Sequence, residues 1–431
     1  MVALTLSICP LHAQSTTGDP CGVRGSLDAA AGWLHAGDAR KALELLESVE
    51  QAEPDNPWLW FYRGSAHLRL NDAYEAMAAF DRASEVLIGL GGPDPDLAER
   101  IARQRRIARR RVFGLRFQTG FAYDSNVSYL GSDASTLDLI AGEEDGRFVT
   151  SLQADFAPVD DGVNLLAVGL RTSHSWHFRI DSFDFQDYGA YVRYARHVGD
   201  SLELGVRYDY DVALLGNDRF LSRHALTPSI RFDWRASPSR FHPSDTTVYY
   251  RFEARDFLFE TEPAFDRDGL VHAVGVEQGF RLRPIADWPW WWTVAVGYRY
   301  DREHTDGTEF DRRGHAVHVD LSMPLVNPAA PTRYLVFPDK ELVLRIHAGW
   351  QGDKYANASL IDVRGRERRD RTTTVGAVLS QTLIDHPDSG TLVLHLIGNW
   401  TDAESNVRAS SNISPFTYDK FVFAIQIEWS W

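Results

Sequence analysis

The 431-residue sequence contains no long hydrophobic run, although 44% of its residues are hydrophobic. No stretch approaches the roughly 18–20 consecutive apolar residues that a membrane-spanning helix needs. A transmembrane β-strand needs only about nine to eleven tilted residues, and every second one of them is apolar. The composition therefore argues against membrane helices and leaves a membrane barrel open.

Cysteine is also scarce, and acidic residues outnumber basic ones, 60 to 45. The two cysteines, Cys9 and Cys21, are too few for a zinc site, and only Cys21 would remain after removal of an N-terminal signal. The formal net charge of -15 argues against the basic face of a nucleic-acid-binding protein. We expect no metal, no cofactor and no nucleic-acid partner.

Motifs of common catalytic and nucleotide sites are missing as well. The sequence has no P-loop, dinucleotide-binding glycine fingerprint, EF-hand loop or nucleophile elbow. His315 and His318 fall on opposite faces of one predicted strand, so a shared metal ion is not expected. His174 and His177, beside Trp176, are interpreted as interfacial residues. We predict no catalytic residue, and an outer-membrane enzyme is the least favoured hypothesis.

The N-terminus resembles an export signal. An apolar stretch, Val2–Cys9, is followed by Leu11–Ala13, which has the small residue of a cleavage site, although a basic segment before the stretch is missing. We predict a signal peptide over residues 1–13.

The last strand shows the clearest pattern in the chain. Large apolar residues occupy every second position from Phe421 to Trp431, and small or polar residues such as Glu428 stand between them. A period of two predicts a β-strand with one apolar face. Aromatic residues at both ends of such strands form the girdles of outer-membrane barrels, so we favour a barrel over a soluble β-sandwich.

The same period of two continues through residues 112–431 and predicts about 14 antiparallel strands, an even number as expected for a bacterial barrel. The predicted strands are 113–123, 148–157, 163–176, 186–196, 201–211, 223–234, 246–256, 269–282, 291–301, 314–324, 341–351, 372–383, 390–400 and 419–431. The last strand is expected to pair with the first, because an unpaired edge cannot lie in a bilayer.

The connections alternate in length. Those after even-numbered strands are mostly short, as at residues 158–162, 197–200 and 385–390, and the Pro-rich segment 325–340 is the exception. Those after odd-numbered strands are longer and polar or acidic: 124–147, 257–268, 302–313, 352–371 and 401–418. This alternation is typical of a barrel whose termini and short turns face the periplasm.

Residues 23–111 show a helical period and an internal spacing that resembles the tetratricopeptide repeat, whose period is about 34 residues. An ordinary antiparallel helix pair is the alternative. The predicted repeat-packing residues are Trp33, Ala42, Leu46, Trp60, Gly64, Ala76, Phe80 and Ala83. The predicted fold is thus an α + β multidomain protein, in which tetratricopeptide-like helices precede an antiparallel transmembrane β-barrel.

A third helix of this domain is strongly basic, with seven arginines between Arg100 and Arg111. The simpler interpretation is a solvated face beside a membrane domain. The alternative is contact with anionic lipid headgroups or an acidic client.

Charged residues of the predicted strands fall on the less aromatic face, which a barrel would turn toward its lumen. The predicted lumen-facing residues are Arg116, Glu203, Arg207, Arg251, Glu253, Glu277, Arg281, Arg299, Asp320 and Arg345. Because both signs are mixed, a structural ladder of ion pairs is favoured over a transport path.

The segment Gly120–Val127 contains the sequence Tyr-Asp-Ser-Asn-Val, which is similar to the start of the barrel in the surface lipoprotein assembly modifier family. Together with the helical repeats and the roughly 14 strands, it resembles that family over residues 23–431. The resemblance implies a periplasmic repeat domain that receives clients and a barrel that helps to move lipoproteins to the cell surface. Phe423, Trp429 and Trp431 resemble the C-terminal signal that the barrel-assembly machinery recognises.

Two functional hypotheses follow. The first is a monomeric outer-membrane protein that contacts membrane lipid and mediates export or surface display of a protein or lipoprotein client. The second is a passive channel or polysaccharide exporter whose repeats bind a partner.

Overall fold

A computed structural model describes residues 20–90, 94–130, 142–199, 201–234, 239–258, 262–283, 291–325, 341–386, 389–410 and 413–431. The predicted signal peptide and Cys9 lie outside these residues. The chain divides into two compact units, Met1–Ala108 and Arg109–Trp431. The division falls within a helix, a few residues before the boundary at 111 that the sequence suggested.

The first unit is built from helices. They are α1 (Pro20–Ala36), α2 (Ala39–Ala52), α3 (Pro57–Arg69), α4 (Ala73–Gly89) and α5 (Pro95–Val112), the last of which crosses the boundary between the units. No helix in the described part of the chain is both long and apolar enough to cross a membrane.

The turns inside the two helix pairs repeat at the predicted spacing. Gly37 and Asn71 both adopt the left-handed conformation, with φ of 89° and 61°. The next residue of each turn, Asp38 or Asp72, accepts a hydrogen bond from a backbone N–H in the first turn of the following helix. The repeat is therefore visible in backbone geometry, and the interpretation as tetratricopeptide-like helices is confirmed.

Most of the predicted repeat-packing residues lie in the helical core. Ala42, Ala76, Phe80 and Ala83 are inaccessible to solvent, and Leu46 is almost so. Gly64 lies against the Phe80 ring, where an added Cβ would come within 2.7 Å of the ring. Small residues at these positions allow the helices to approach closely.

The two predicted tryptophans differ from this pattern. Trp33 is 40% exposed, and the Lys41 ammonium lies 4.6 Å from its ring centroid. Trp60 is half-buried, packs beside the core and donates its indole N–H to the Pro54 carbonyl at 2.7 Å. Leu34, the neighbour of Trp33, points into the core instead. Trp33 therefore lies at the edge of the helical core, beside the buried Leu34.

The second unit is a closed barrel of 14 antiparallel strands. The strands are β1 (Phe113–Asp124), β2 (Asp145–Asp160), β3 (Asn164–His177), β4 (Phe185–Val198), β5 (Leu202–Leu215), β6 (Asp218–Asp233), β7 (Phe241–Phe257), β8 (Gly269–Leu282), β9 (Trp292–Thr305), β10 (Arg312–Pro324), β11 (Leu342–Ala358), β12 (Glu367–His386), β13 (Gly390–Ser405) and β14 (Tyr418–Ser430). Every predicted strand is present.

Sequence neighbours pair with each other around the barrel, and β14 closes it against β1. In this closing pair Phe117 is opposite Trp429, and Phe121 is opposite Ile425. The expectation that the last strand pairs with the first is confirmed. Closure leaves no free strand edge, as a bilayer requires.

The outward face is apolar. Phe121, Leu170, Val274 and Ile425 are among its large side chains, and Phe121 is 61% exposed. Polar residues of the same strands alternate with them and face the barrel interior. An exposed apolar band of this extent is typical of a surface that contacts lipid.

Several strands extend beyond their predicted ends, so the connections at the end of the barrel farthest from Phe113 are shorter than predicted. After β9, β11 and β13 they cover 306–311, 359–366 and 406–417. The connection after β5 consists of Gly216 and Asn217 alone, both with positive φ. Such a tight hairpin turn is favoured by the twist of the strands. The Pro-rich segment 326–340 lies outside the described residues.

Candidate functional site in the barrel interior

All ten charged residues assigned to the lumen lie on the face opposite the apolar side chains. They occupy interior positions of the strands: Arg116, Glu203, Arg207, Arg251, Glu253, Glu277, Arg281, Arg299, Asp320 and Arg345. The end of the barrel where β1 begins and β14 ends is named here the terminal end. The opposite end is named the distal end.

The distal half of the interior contains a dense network of ion pairs centred on Arg312. Its guanidinium lies 3.0 Å from Asp301, 2.9 Å from Glu303, and in contact with Asp353. Glu303 also binds Arg255 at 2.8 Å. One arginine thus joins strands β9, β10 and β11, and its charge is balanced by carboxylates that are themselves largely buried.

The network continues on the neighbouring strands. Glu253 of β7 accepts from Arg251 at 2.6 Å and from Arg255 at 2.5 Å. Asp211 of β5 lies between Arg171 of β3, at 2.5 Å, and Arg223 of β6, at 2.6 Å. Buried charges of this kind stay ionised only when they are paired. The distal interior is therefore held together electrostatically across most of its strands.

The seam between β1 and β14 has an ion pair of its own. The Lys420 ammonium lies 2.8 Å from Asp124 and 3.4 Å from the Tyr129 ring centroid, and it donates to the Asn126 carbonyl at 2.8 Å. Ser125 accepts a hydrogen bond from the Phe421 backbone N–H at 2.7 Å. The Tyr-Asp-Ser-Asn-Val segment thus contributes to closing the barrel at its distal end.

The terminal half of the interior is more accessible to water. The Arg116 side chain is 58% exposed and lies 3.6 Å from Glu428. Glu277 and Asp320 are 47% and 56% exposed, and each lies within 4 Å of His318. Exposed pairs of this kind contribute little to stability, about 0–1 kcal/mol each. The interior therefore changes from loosely paired and wet to tightly paired and buried along the barrel axis.

Several residues of the distal network were missing from the sequence-based set. Asp209, Asp211 and Asp301 continue the alternation of Arg207 and Arg299, so their interior position could have been predicted from the period of two. Arg312 and Asp353 fell in predicted loops, because the strand ends were placed too early. In sequence, acidic residues near the end of a strand resemble loop residues. Only the pairing of the strands in the structure shows that they belong to the strand.

Three distal connections are linked to one another by buried polar contacts. Glu309 accepts from the Ser359 hydroxyl at 2.6 Å and from the Leu360 backbone N–H at 2.9 Å. Asp362 accepts from the Arg366 guanidinium at 2.8 Å and from the Arg408 backbone N–H at 2.9 Å. These contacts join the connections after β9, β11 and β13.

The carboxylate of Asp362 is strongly stabilised in its charged form. Hydrogen bonds from the Arg366 side chain, and then from the backbone N–H groups of Arg408 and Arg366, hold its pKa well below its usual range. Desolvation of this covered carboxylate opposes the shift, but the hydrogen bonds together outweigh it.

The C-terminal residues close the terminal end of the barrel. Trp431 exchanges two backbone hydrogen bonds with Leu115, at 2.8 and 3.0 Å, and its ring lies edge-on to Phe113. Trp429 donates its indole N–H to the Ser389 carbonyl at 2.7 Å. Phe423 faces outward and is 42% exposed. The three residues of the predicted assembly signal thus belong to the closing strand or directly follow it.

The basic end of α5 belongs to the barrel unit and is not a uniformly solvated face. Arg110 donates to the Ser430 carbonyl at 3.1 Å and to the Thr391 hydroxyl at 2.8 Å. The Arg109 guanidinium lies over the Trp431 ring. These two arginines therefore fasten the residues before β1 to the ends of β13 and β14. Earlier in the helix, within the first unit, Arg105 pairs with Asp81 at 2.5 Å.

Among the residues that the structure describes, no three histidine, cysteine or carboxylate side chains converge to hold an ion. His315 faces outward, where it bonds Tyr298, whereas His318 faces inward.

Comparisons with known proteins place this architecture in context. The tetratricopeptide repeat family matches residues 34–96. No curated protein matches the sequence. CdiB from Acinetobacter baumannii is similar at 10% identity and a TM-score of 0.36, over 74% of this chain and 60% of CdiB.

Two further solved structures are similar to the chain. A bacterial polysaccharide outer membrane secretin has 12% identity and a TM-score of 0.36, over 74% of this chain and 99% of its own. OccAB3 from Acinetobacter baumannii has 7% identity and a TM-score of 0.37, over 74% and 99%.

Proposed function

We propose that this protein is a non-enzymatic outer-membrane barrel that exports a protein or lipoprotein client, or displays it on the cell surface. The helical repeats lie in the periplasm and bind the client, and the chain acts as a monomer. The proposal is supported mainly by the order of the domains in one chain. A tetratricopeptide-like domain precedes the barrel without a linker, because α5 ends at Val112 and β1 begins at Phe113.

The gradient along the barrel interior supports this direction of transport. The terminal end, where the repeat domain is attached in the chain, has exposed charges such as Arg116 and Asp320 that keep it wet. The distal end has buried, fully paired charges around Arg312. A client that leaves the repeat domain would enter the more hydrated half of the interior first, and would then pass the half in which the wall charges are paired and buried.

Surface display in intact cells tests the proposal. Cells producing the protein together with a candidate lipoprotein client should expose that lipoprotein to externally added protease. A Gly64→Leu variant, which disrupts repeat packing against Phe80, should lose display while the barrel still reaches the outer membrane. Equal display with and without the protein would contradict the proposal.

The second candidate, a passive channel, is favoured by one observation. Arg281 and Arg345 face the interior and are exposed, as expected for the lining of an ion path. Steady conductance in planar bilayers that shifts toward cation selectivity in Arg281→Gln and Arg345→Gln would support the channel. Absence of conductance together with client display supports export.

A further inference from the structure

Four cations lie side by side in one row across four strands of the barrel wall. Arg302 of β9 is opposite Arg313 of β10, Arg313 is opposite Lys354 of β11, and Lys354 is opposite Arg369 of β12. Directly opposed side chains of a sheet are only about 5 Å apart at Cβ, and like charges in such pairs are destabilising. A bound anion would therefore stabilise an uninterrupted row of four cations.

This cation row faces outward. Its members alternate with the interior residues of the same strands, since Arg302 precedes Glu303 and Arg313 follows Arg312. Arg302, Arg313 and Arg369 are all exposed. The row thus lies on the apolar, lipid-facing side of the wall and is separated from the distal ion-pair network by the backbone.

The protein supplies little compensating charge. Lys354 pairs with Glu367 at 3.0 Å. No carboxylate in the described ranges lies within ion-pairing distance of Arg302, Arg313 or Arg369. Arg312, in contrast, faces inward on the same strand as Arg313 and has three carboxylate partners. The outward row is left with an excess of positive charge.

Aromatic side chains show at which level of the membrane the row lies. Two residues toward the terminal end, Tyr300 and His315 face outward with ring centroids 5.1 Å apart, and Tyr298 bonds His315 at 2.8 Å. Equivalent Tyr–His pairs occur on two other hairpins, Tyr208 with His224 and Tyr250 with His272. Such girdles mark the membrane–water interface. Two strand residues span roughly 7 Å, so the row reaches the headgroup level.

We propose that the cation row binds the phosphate groups of an anionic glycolipid in the outer leaflet of the membrane. A cleft of about 750 Å³ lies along three of the four cations, Arg313, Lys354 and Arg369, and its lining also contains Arg371, whose ion-pair partner Glu404 lies 3.8 Å away. One guanidinium group can donate two parallel hydrogen bonds to a phosphate. The row extends over four strands, so it is wide enough to bind two phosphates. Below the row, the outward-facing Val317, Val319 and Trp350 can contact the acyl chains.

This inference rests on the proposed function only in that the barrel spans the outer membrane with its distal end toward the cell exterior. Full-length protein in phosphatidylcholine nanodiscs that contain a small fraction of bis-phosphorylated lipid A is analysed by native mass spectrometry. The wild type should retain lipid A. The combined variant Arg302→Gln, Arg313→Gln, Arg369→Gln should lose affinity by at least about tenfold, since charge-assisted hydrogen bonds to phosphate are among the strongest that a protein makes.

Three controls make the outcome specific. Three arginines elsewhere serve as the control: Arg116 and Arg281 face the interior, and Arg196 of β4 faces outward near the terminal end, opposite Leu204. The combined variant Arg116→Gln, Arg196→Gln, Arg281→Gln should leave lipid retention unchanged. Replacing the three row arginines by lysine keeps the charges but removes the paired guanidinium donors, so lipid retention should fall between that of the wild type and that of the glutamine variant; this variant also covers the case in which the glutamine variant does not assemble. Inorganic phosphate added to the nanodiscs should not displace the lipid, because it lacks acyl chains.

Three results would overturn the proposal. They are equal lipid retention by the wild type and the glutamine variant, retention of dephosphorylated lipid A to the same extent, and complete displacement by inorganic phosphate. None of these three results bears on whether the protein displays a client. Absence of the barrel from the outer-membrane fraction would instead contradict the proposed function.

Discussion

The guanidinium of Arg109 lies 3.6 Å from the ring centroid of Trp431, so a residue before the first strand stacks on the last residue of the chain. This contact joins the two ends of the barrel unit at the point where β1 and β14 close it. It gives the C-terminal aromatic residue a structural partner in addition to its predicted role in assembly.

Removal of Trp431 is expected to reduce the amount of assembled barrel several-fold, because it deletes the aromatic terminus and two backbone hydrogen bonds to Leu115. Heat-modifiable mobility in membrane fractions measures the assembled amount. Trp431→Phe keeps an aromatic ring and should assemble normally. Arg109→Gln should have a small effect, since an exposed cation–π contact contributes about 0.5–1 kcal/mol. Normal barrel levels after the deletion would count against an assembly role.

The buried pair between Lys420 and Asp124 is expected to stabilise the barrel seam strongly. Their side chains are 4% and 1% exposed, and they meet as an ion pair rather than as an aligned hydrogen bond. Lys420→Met leaves the Asp124 carboxylate with the Asn126 backbone N–H at 3.0 Å and the Arg147 guanidinium at 3.6 Å, and we expect a loss of roughly 3–5 kcal/mol in the free energy of unfolding. Urea unfolding of the purified barrel in detergent measures this loss.

The control for the seam is the exposed interior pair of Arg231 and Asp233, whose side chains are 45% and 47% exposed. Arg231→Met should change the free energy of unfolding by less than about 1 kcal/mol. If Lys420→Met and Arg231→Met lowered the free energy of unfolding equally, burial of the Lys420–Asp124 pair would not add to the stability of the seam.

Two glycines in the helical unit should respond to alanine in opposite directions. Gly64→Ala places a Cβ within 2.7 Å of the Phe80 ring, and overpacking costs about 1–3 kcal/mol. Gly32, in α1, has no atom within 4 Å of the added Cβ. Gly32→Ala should therefore stabilise the helices by up to about 1 kcal/mol through helix propensity. Hydrogen exchange of the helical amides in the full-length protein reports both changes.

The linked distal connections should loosen in acid. Because the pKa of Asp362 is lowered in the folded protein, its contribution to stability is complete above about pH 4 and is lost as the pH falls further, through the lowered pKa. Hydrogen exchange at Val363, Arg366 and Arg408 should accelerate in this range. In Asp362→Asn, exchange should be fast at neutral pH already and show little additional dependence on protonation in acid. Unchanged protection of the wild type in strong acid would exclude this role of Asp362.

Much of the fold was available from the sequence, because it follows from side-chain period. The alternation around Phe421–Trp431 and its counterparts predicted all 14 strands, and the same alternation assigns the charges of each strand to one face. The repeat spacing predicted the helix pairs, and the left-handed turns at Gly37 and Asn71 show why it holds. Trp33 was misplaced, since a period cannot distinguish the edge of a helical core from its centre.

The ion-pair network and the cation row were decided by tertiary structure alone. Arg171 pairs with Asp211 two strands away, and Lys420 on the last strand pairs with Asp124 on the first, so these contacts depend on strand order and register. A strand's period fixes whether a residue faces the lumen or the lipid. Only the register between strands fixes which charge stands beside it, and that decides whether Arg312 is neutralised and whether Arg313 lies between two other cations.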